Sequence, residues 1–372
     1  MKEFLKMKVR TIFIILGHSC NMQCAYCMQR PVIHEQLTNR INPKIYDFIE
    51  ALQKESGDPI HIQFFGGEPL LYFQNLKEIV EETKRRQIPL SYGVITNGRA
   101  LTDEMVNFFN EHAEDMTFTL SWDGYQTKDT RLFDVFADPL LKARLLSLKR
   151  LGLSGVISSR SYPKEMLAAF QDISDEYRKI HGYQVYVNLD EIFDTGIARR
   201  DLLAVDYDRV EQEMKELALL YLQVLTGKES SEEEYVRINY LEGFFRQMRH
   251  FYIDKGGKWE RTTVYCGNGL TTLNMDVEGN LYPCHNTDEK VGSITGDFFP
   301  YLYCILRGDG IKERRAECLD CPALAYCQGG CKIVDEKTRR ETYCRLKRAV
   351  FVPVISVFEA YGRRLEGADK NG

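Results

Sequence analysis

Apolar residues in roughly the first 200 positions follow two alternating patterns. Short apolar runs of strand length lie at Val9–Leu16, Ile60–Phe65, Leu90–Ile95, Thr117–Ser121, Gly155–Ser159 and Gln184–Leu189. Between them apolar positions recur three and four apart, as on a helix with one buried face. Asn42 reads as an N-cap with Pro43 at the first helical position, ahead of Ile45, Phe48, Ile49 and Leu52 on one face. Met166, Ala169, Phe170, Ile173, Tyr177 and Ile180 share another such face. Six strand–helix units predict an α/β fold with a parallel sheet and right-handed crossovers. A partial (β/α)6 TIM-like barrel fits this count, and a doubly wound sheet has the same local pattern.

The second half reads differently. Helical periodicity runs over Tyr207–Thr226 and again from Glu234 to Ile253, separated by the polar stretch Gly227–Glu234 and followed by the Gly256-Gly257 turn. From Cys266 to Cys344 the chain has little helical periodicity and many Gly and Asp turns, and an amphipathic helix over Arg345–Arg364 closes it. The expected domains are 1–205, a helical linker region 206–262, a cysteine-rich domain 263–346 and a C-terminal helix 347–372.

Composition narrows the class of protein. The chain has 372 residues, 44% hydrophobic and 28% charged, with a net charge of −5. This balance gives no reason to expect nucleic acid or membrane as a partner. No apolar run is long enough to span a bilayer, and the N-terminus lacks signal-peptide features, so a cytoplasmic protein is expected. Eleven cysteines in a reducing compartment point to metal binding or catalysis rather than disulfides. Three lie between Cys20 and Cys27 and the other eight between Cys266 and Cys344.

Directly after the first apolar run the chain reads C-N-M-Q-C-A-Y-C, placing Cys20, Cys24 and Cys27 in C-x3-C-x2-C spacing. Three thiols so close can hold three irons of a 4Fe–4S cluster, which usually takes four thiolates. The remaining iron is open, which makes such a cluster a reaction centre. Structural zinc more often uses separated C-x2-C pairs. This spacing, with an aromatic before the last cysteine, resembles the radical S-adenosylmethionine (SAM) superfamily. The resemblance implies the partial barrel, and Cys20, Cys24 and Cys27 as cluster ligands and catalytic residues. It also implies SAM on the open iron, cleaved by one electron to a 5′-deoxyadenosyl radical that takes hydrogen from a substrate. Tyr26 is then expected near the adenine.

Other candidates fall at the carboxyl ends of strands, where parallel barrels carry their chemistry. Gly66, Gly67, Glu68 and Pro69 follow the second strand, and two glycines there allow a close backbone approach. The family's G-G-E-P motif, which binds the SAM amino group, is similar. Asn97 in T-N-G and Ser121 and Asp123 in S-W-D-G match motifs that the family often carries at the next two strand ends, which implies Ser121 and Asp123 near the SAM ribose and carboxylate. Arg131 and Arg160 are possible carboxylate partners or solvated side chains. Asn188 and Asp190 end the sixth strand as ligand contacts or as caps.

The cysteine-rich stretch holds Cys266-x12-Gly279-x4-Cys284 and Cys318-x2-Cys321-x5-Cys327-x3-Cys331, then Cys344. Alone, the second group also suits tetrahedral zinc. Behind a radical SAM core, the seven cysteines resemble the SPASM domain, which implies two auxiliary 4Fe–4S clusters and three clusters in all. By position, Cys318, Cys321, Cys327 and Cys344 would hold the outer cluster, and Cys266, Cys284 and Cys331 the inner one. Sulfatase maturases have a further cysteine shortly after the position of Cys266 and an Asp where this chain has His285. The inner set is thus short of one thiolate. His285 is open to reading as ligand, acid/base or surface residue, and Cys304 sits in an apolar run as a buried thiol.

The function these features imply is a radical SAM peptide maturase. Its substrate would be a ribosomally made precursor peptide, the product a thioether, a C–C cross-link or an epimer, and the reductant a flavodoxin- or ferredoxin-like one-electron donor. Only a few residues precede the first strand, so leader recognition is expected elsewhere; the basic positions Arg237, Arg246, Arg249 and Lys258 suit an acidic leader or a solvated face. Anaerobic sulfatase maturation is the alternative within the same chemistry. A non-enzymatic iron–sulfur electron carrier and a zinc-stabilised binding module are the alternatives from other classes.

Overall fold

All six expected strands form in the computed structural model, which describes residues 9–30, 40–194, 196–228, 232–252, 271–296, 316–327, 329–331 and 333–369. They are β1 (Thr11–Ile15), β2 (Ile60–Phe65), β3 (Leu90–Thr96), β4 (Met116–Ser121), β5 (Leu151–Ile157) and β6 (Tyr186–Glu191). Cys266, Cys304, Lys258, the Arg249 side chain and the Gly256-Gly257 turn lie outside the described residues. The fold is α/β with a sheet dominated by parallel strands. The chain divides into two compact units: Met1–Ser121, Leu132–Gly152 and Thr262–Glu313 in one, Trp122–Arg131, Leu153–Arg261 and Arg314–Gly372 in the other.

In the first unit the strand order is β4-β3-β2-β1 and continues past β1 into β7 (Thr272–Asp276), β8 (Asn280–Tyr282) and β9 (Gly292–Ser293). Thr11 faces His61 on one side and Thr272 on the other, and both pairings are parallel. β8 and β9 return antiparallel. This extension was not expected: residues 272–293 fall within the stretch predicted as a separate domain, yet β7 pairs with the first strand of the core and β8 and β9 continue the same sheet. The pattern T-L-N-M-D hides the strand because its polar residues are buried too. Asp276 accepts from the Glu278 and Asn280 N–H groups at 2.9 Å each and from the Tyr282 hydroxyl at 2.8 Å. Paired in this way a buried carboxylate is tolerated.

Helices α1 (Lys44–Ser56), α2 (Phe73–Arg85), α3 (Asp103–Glu111) and α4 (Pro139–Ser147) connect these strands. The Asn42 side chain accepts from the Lys44 N–H at 3.1 Å, the capping role its sequence position suggested. Ile45, Ile49 and Leu52 of α1 are buried, while Ile12, Ile14, Phe64, Tyr92 and Phe118 fill the sheet side of the core.

The second unit holds most of β5, all of β6, and helices α5 (Pro163–His181), α6 (Tyr207–Leu225), α7 (Tyr235–Tyr252) and α8 (Cys344–Asp369). α6, α7 and α8 pack through rings: Phe358 lies 4.5 Å from Phe245 and 6.2 Å from Tyr221, and Phe351 lies 5.8 Å from Phe244. β5 starts at Leu151, four residues before its expected start at Gly155. Gly152 and Gly155 weaken the strand pattern, but Gly155 is needed, since a Cβ there would stand 2.9 Å from the Trp122 carbonyl oxygen. β6 runs to Glu191, so Asn188 and Asp190 lie within the strand rather than at its end. They share its solvent-accessible face, and Leu189 and Glu191 share the buried one. No helix among the described residues is long and apolar enough to cross a membrane.

Candidate functional site

The loop after β1 carries Cys20, Cys24 and Cys27 and is fixed by main-chain bonds to the turn after β2. The Gly67 N–H donates to the Gly17 carbonyl and the Glu68 N–H to the Ser19 carbonyl, each at 2.9 Å. Both glycines are required by this approach. A Cβ on Gly66, whose φ is +143°, would stand 2.3 Å from the Gly17 oxygen, and one on Gly67 would stand 2.4 Å from the Ser19 oxygen. The Ser19 N–H donates to the Tyr72 hydroxyl at 3.0 Å. Tyr72 was not singled out in the sequence; its one signal was its place in the P-L-L-Y turn directly after G-G-E-P.

Glu68 ties the same turn to the end of β3. Its carboxylate accepts from the Leu70 N–H at 3.0 Å, from the Asn97 N–H at 2.8 Å and from the Thr96 hydroxyl. An ionised carboxylate offers about four lone-pair positions, so roughly one is left. Burial raises the Glu68 carboxyl above the usual carboxylate range, against the lowering effect of these three bonds. What this turn presents outward is therefore chiefly backbone. Asn97 donates from Nδ2 to Asn21 Oδ1 at 2.9 Å and lies 3.9 Å from Cys20 Sγ. Arg99 reaches the Asn21 carbonyl at 2.8 Å. The carboxyl ends of β1, β2 and β3 thus converge on the cysteine loop.

Cys20, Cys24, Tyr26 and Cys27 are all half-buried. Burial pushes the Cys20 thiol up to about 11, a backbone hydrogen bond at Met22 opposes this, and Glu68, Cys24 and Cys27 add to the rise. Metal ligands must be deprotonated, so loading iron here releases protons. His285 lies in the same unit and is half-buried. Its ring stacks on Phe13 at 4.2 Å and meets Phe65 edge-on at 4.6 Å. Its carbonyl accepts from Gln29 Nε2 at 3.2 Å, which brings the Cys284-His285 segment to the first cysteine loop. Burial lowers the imidazole to about 4, and Nδ1 has no hydrogen-bond partner.

The remaining candidates fall out differently. Ser121 ends β4 and is half-buried. Asp123, which the resemblance implies near SAM, and Arg131, open to reading as a carboxylate partner, lie against each other. Arg131 Nε lies 3.2 Å from Asp123 Oδ2, and the same carboxylate accepts from the Thr130 hydroxyl at 2.6 Å and the Val156 N–H at 2.9 Å. Both are buried in the second unit. Arg160 is half-exposed and pairs with Asp201 at 3.6 Å. Asn188 Nδ2 donates to Asp190 at 3.1 Å. Asp190 is open to solvent yet crowded by protein atoms, and that crowding, with Glu191 beside it, raises its carboxyl.

The four thiols expected at an outer cluster line one cavity of about 150 Å³: Cys318, Cys321, Cys327 and Cys344. Burial pushes the Cys327 thiol up to about 12, with Lys347 opposing the shift, and burial also raises Cys344. Among the described residues no cysteine is in a disulfide and no three His, Cys, Asp or Glu groups converge tightly enough to hold a single metal ion. A cube that takes one thiolate per iron spreads its ligands more widely than one zinc does. The donor set and the cavity fit such a cluster.

Residues 14–154 match the Radical SAM superfamily. The chain carries a radical SAM domain. Radical SAM domains use SAM and a 4Fe–4S cluster, and the matched residues span the cysteine loop, the G-G-E-P turn and Asn97. A 120-residue stretch is 24% identical to the radical SAM cyclopropyl synthase TigE of Paramaledivibacter caminithermalis, covering 28% of this chain and 25% of that protein. The alignment therefore spans a quarter of TigE's length. A cysteine-type anaerobic sulfatase-maturating enzyme of Clostridium novyi is 21% identical over 91% of this chain and 93% of its own. Among solved structures, native anSMEcpe with bound AdoMet and Cp18Cys peptide superposes with a TM-score of 0.63 at 16% identity, covering 98% of this chain and 99% of that one. At that identity the likeness establishes the fold. It spans both the radical SAM domain and the cysteine-rich C-terminal region.

Proposed function

We propose that the protein is a radical SAM enzyme that modifies a peptide or protein substrate. The observation that carries this reading is the convergence of the C-x3-C-x2-C loop, the G-G-E-P turn and Asn97 on adjacent strand ends. When bound, the cluster and SAM supply a hydrogen-abstracting 5′-deoxyadenosyl radical. In this reading Cys20, Cys24 and Cys27 hold the cluster and the Gly66–Pro69 backbone meets the SAM amino group, with Tyr26 beside the adenine. Asn97 and Arg99 keep the loop in place through Asn21, and Ser121 and Asn188 remain ligand candidates. Cys318, Cys321, Cys327 and Cys344 hold an outer auxiliary cluster, and Cys266, Cys284 and Cys331 an inner one. The domain limits 1–205 and 263–346 are proposed as functional divisions. A one-electron donor completes the reaction.

Cross-linking or epimerisation of a precursor peptide and oxidation of a sulfatase Cys or Ser to formylglycine are both compatible with this site. The second reading is favoured by the relative that matches nearly end to end, a sulfatase-maturating enzyme. The test is anaerobic reconstitution with iron and sulfide, then SAM and dithionite, with 5′-deoxyadenosine read by chromatography. The wild type is expected to form it and the Cys20/Cys24/Cys27→Ala variant none. An iron-loaded wild type that forms none would exclude the enzyme reading. Adding a Cys-containing sulfatase peptide separates the two substrates: an aldehyde in the product supports maturation of sulfatases.

A further inference from the structure

The last thiol of the outer set is placed by an uncommon turn. Arg339–Tyr343 form one π-helical turn, and the Cys344 N–H donates to the Arg339 carbonyl. Such turns are rare and occur frequently at functional sites. Here the turn brings the Arg339 side chain over the thiols. Nη1 lies 3.5 Å from Cys344 Sγ and 3.8 Å from Cys318 Sγ. The opposite edge of the guanidinium is held by Glu336, with Nε 3.2 Å from Oε2 and Nη2 3.1 Å from Oε1. Arg339 is 8% exposed. Glu336 fixes the planar fork, with Glu317 Oε2 3.9 Å from Nη2, and leaves Nη1 aimed at two sulfurs.

We propose that Arg339 tunes the outer iron–sulfur site, raising the potential at which it accepts an electron by holding a guanidinium N–H against the sulfurs of Cys318 and Cys344. The proposal rests on the reading of the four cavity cysteines as cluster ligands. One-electron reduction adds a negative charge to the cluster and its thiolates, and a neighbouring cation stabilises the reduced form more than the oxidised one. Hydrogen bonds to the sulfurs and net charge are among the terms that set such potentials, and a charged donor makes the stronger bond. Glu336 is also held by Arg340, whose Nε donates to the same Oε1, so the carboxylate stays paired when the Arg339 guanidinium is removed and the shift comes from the lost N–H at the sulfurs. Arg339 touches no substrate in this account; it is a positioning residue for the redox site.

The test uses the full-length reconstituted protein and reads iron content together with an EPR-monitored redox titration. Arg339→Met is expected to keep its iron and to move one cluster midpoint to lower potential, with Arg339→Lys moving it less. An unmoved midpoint in an iron-replete Arg339→Met protein overturns the proposal. A Cys318→Ala/Cys321→Ala variant separates this from failure of the underlying reading: if it holds as much iron as wild type, the outer cluster itself is wrong. Should Arg339→Met lose iron, Arg339→Met/Glu336→Gln removes both partners of the pair and gives the same measurement. A wild-type midpoint in that variant is equally fatal.

Discussion

Residues that look alike in sequence divide sharply once their partners are known. Arg131 and Arg160 both read as possible carboxylate partners, and both carry a fixed charge. Arg131 is buried against Asp123, whereas Arg160 reaches a half-exposed Asp201. Breaking a buried pair leaves an uncompensated charge and costs about 3–5 kcal/mol. Urea unfolding is therefore expected to show a loss of that order for Arg131→Met. Arg160→Met should stay within about 0.5 kcal/mol of wild type, as exposed pairs contribute little. Equal losses in the two variants would contradict the pairing. The same scale shows what sequence could and could not give. Spacing together with the family resemblance singled out the cysteines and the glycines, because a loop ligand set and a close backbone approach each demand a residue type. Tyr72 and Arg339 stayed hidden, because a hydroxyl or a guanidinium aimed at one atom leaves no pattern along the chain.

Among the elements, β2 was legible to the residue because it is bounded by polar turns and alternates cleanly. β5 was misplaced because Gly155 serves packing against Trp122 and Met166, not backbone turning. β7 was missed because its Asn and Asp are buried with internal partners, which defeats the polar-out reading of a strand. That strand matters for how the chain can be cut. A chain ended at residue 205, the boundary suggested by periodicity, would leave the outer edge of β1 unpaired, and T-I-F-I-I is an apolar edge. Exposed edges of this kind associate. The shortened chain is expected to elute as large aggregates on size exclusion, and a monodisperse monomer would show that β7 is dispensable.

For the molecule as a whole, the number of clusters is the quantity that most constrains its chemistry. Three full clusters correspond to about twelve irons per chain, four in each. Chemical iron and sulfide analysis of the reconstituted protein is expected to approach that figure. A count near four, unchanged by removing Cys318 and Cys321, would leave only the cluster of the radical SAM domain. The clamp that positions this first cluster has a consequence of its own. It joins the amides of Gly67 and Glu68 to the carbonyls of Gly17 and Ser19, groups that every residue supplies. Apart from the glycines that the close approach requires, such a joint is tolerant of residue type and strict about length. Substitutions around it can accumulate until two chains share few letters, whereas one residue gained or lost between Gly17 and Ser19 puts both bonds out of step.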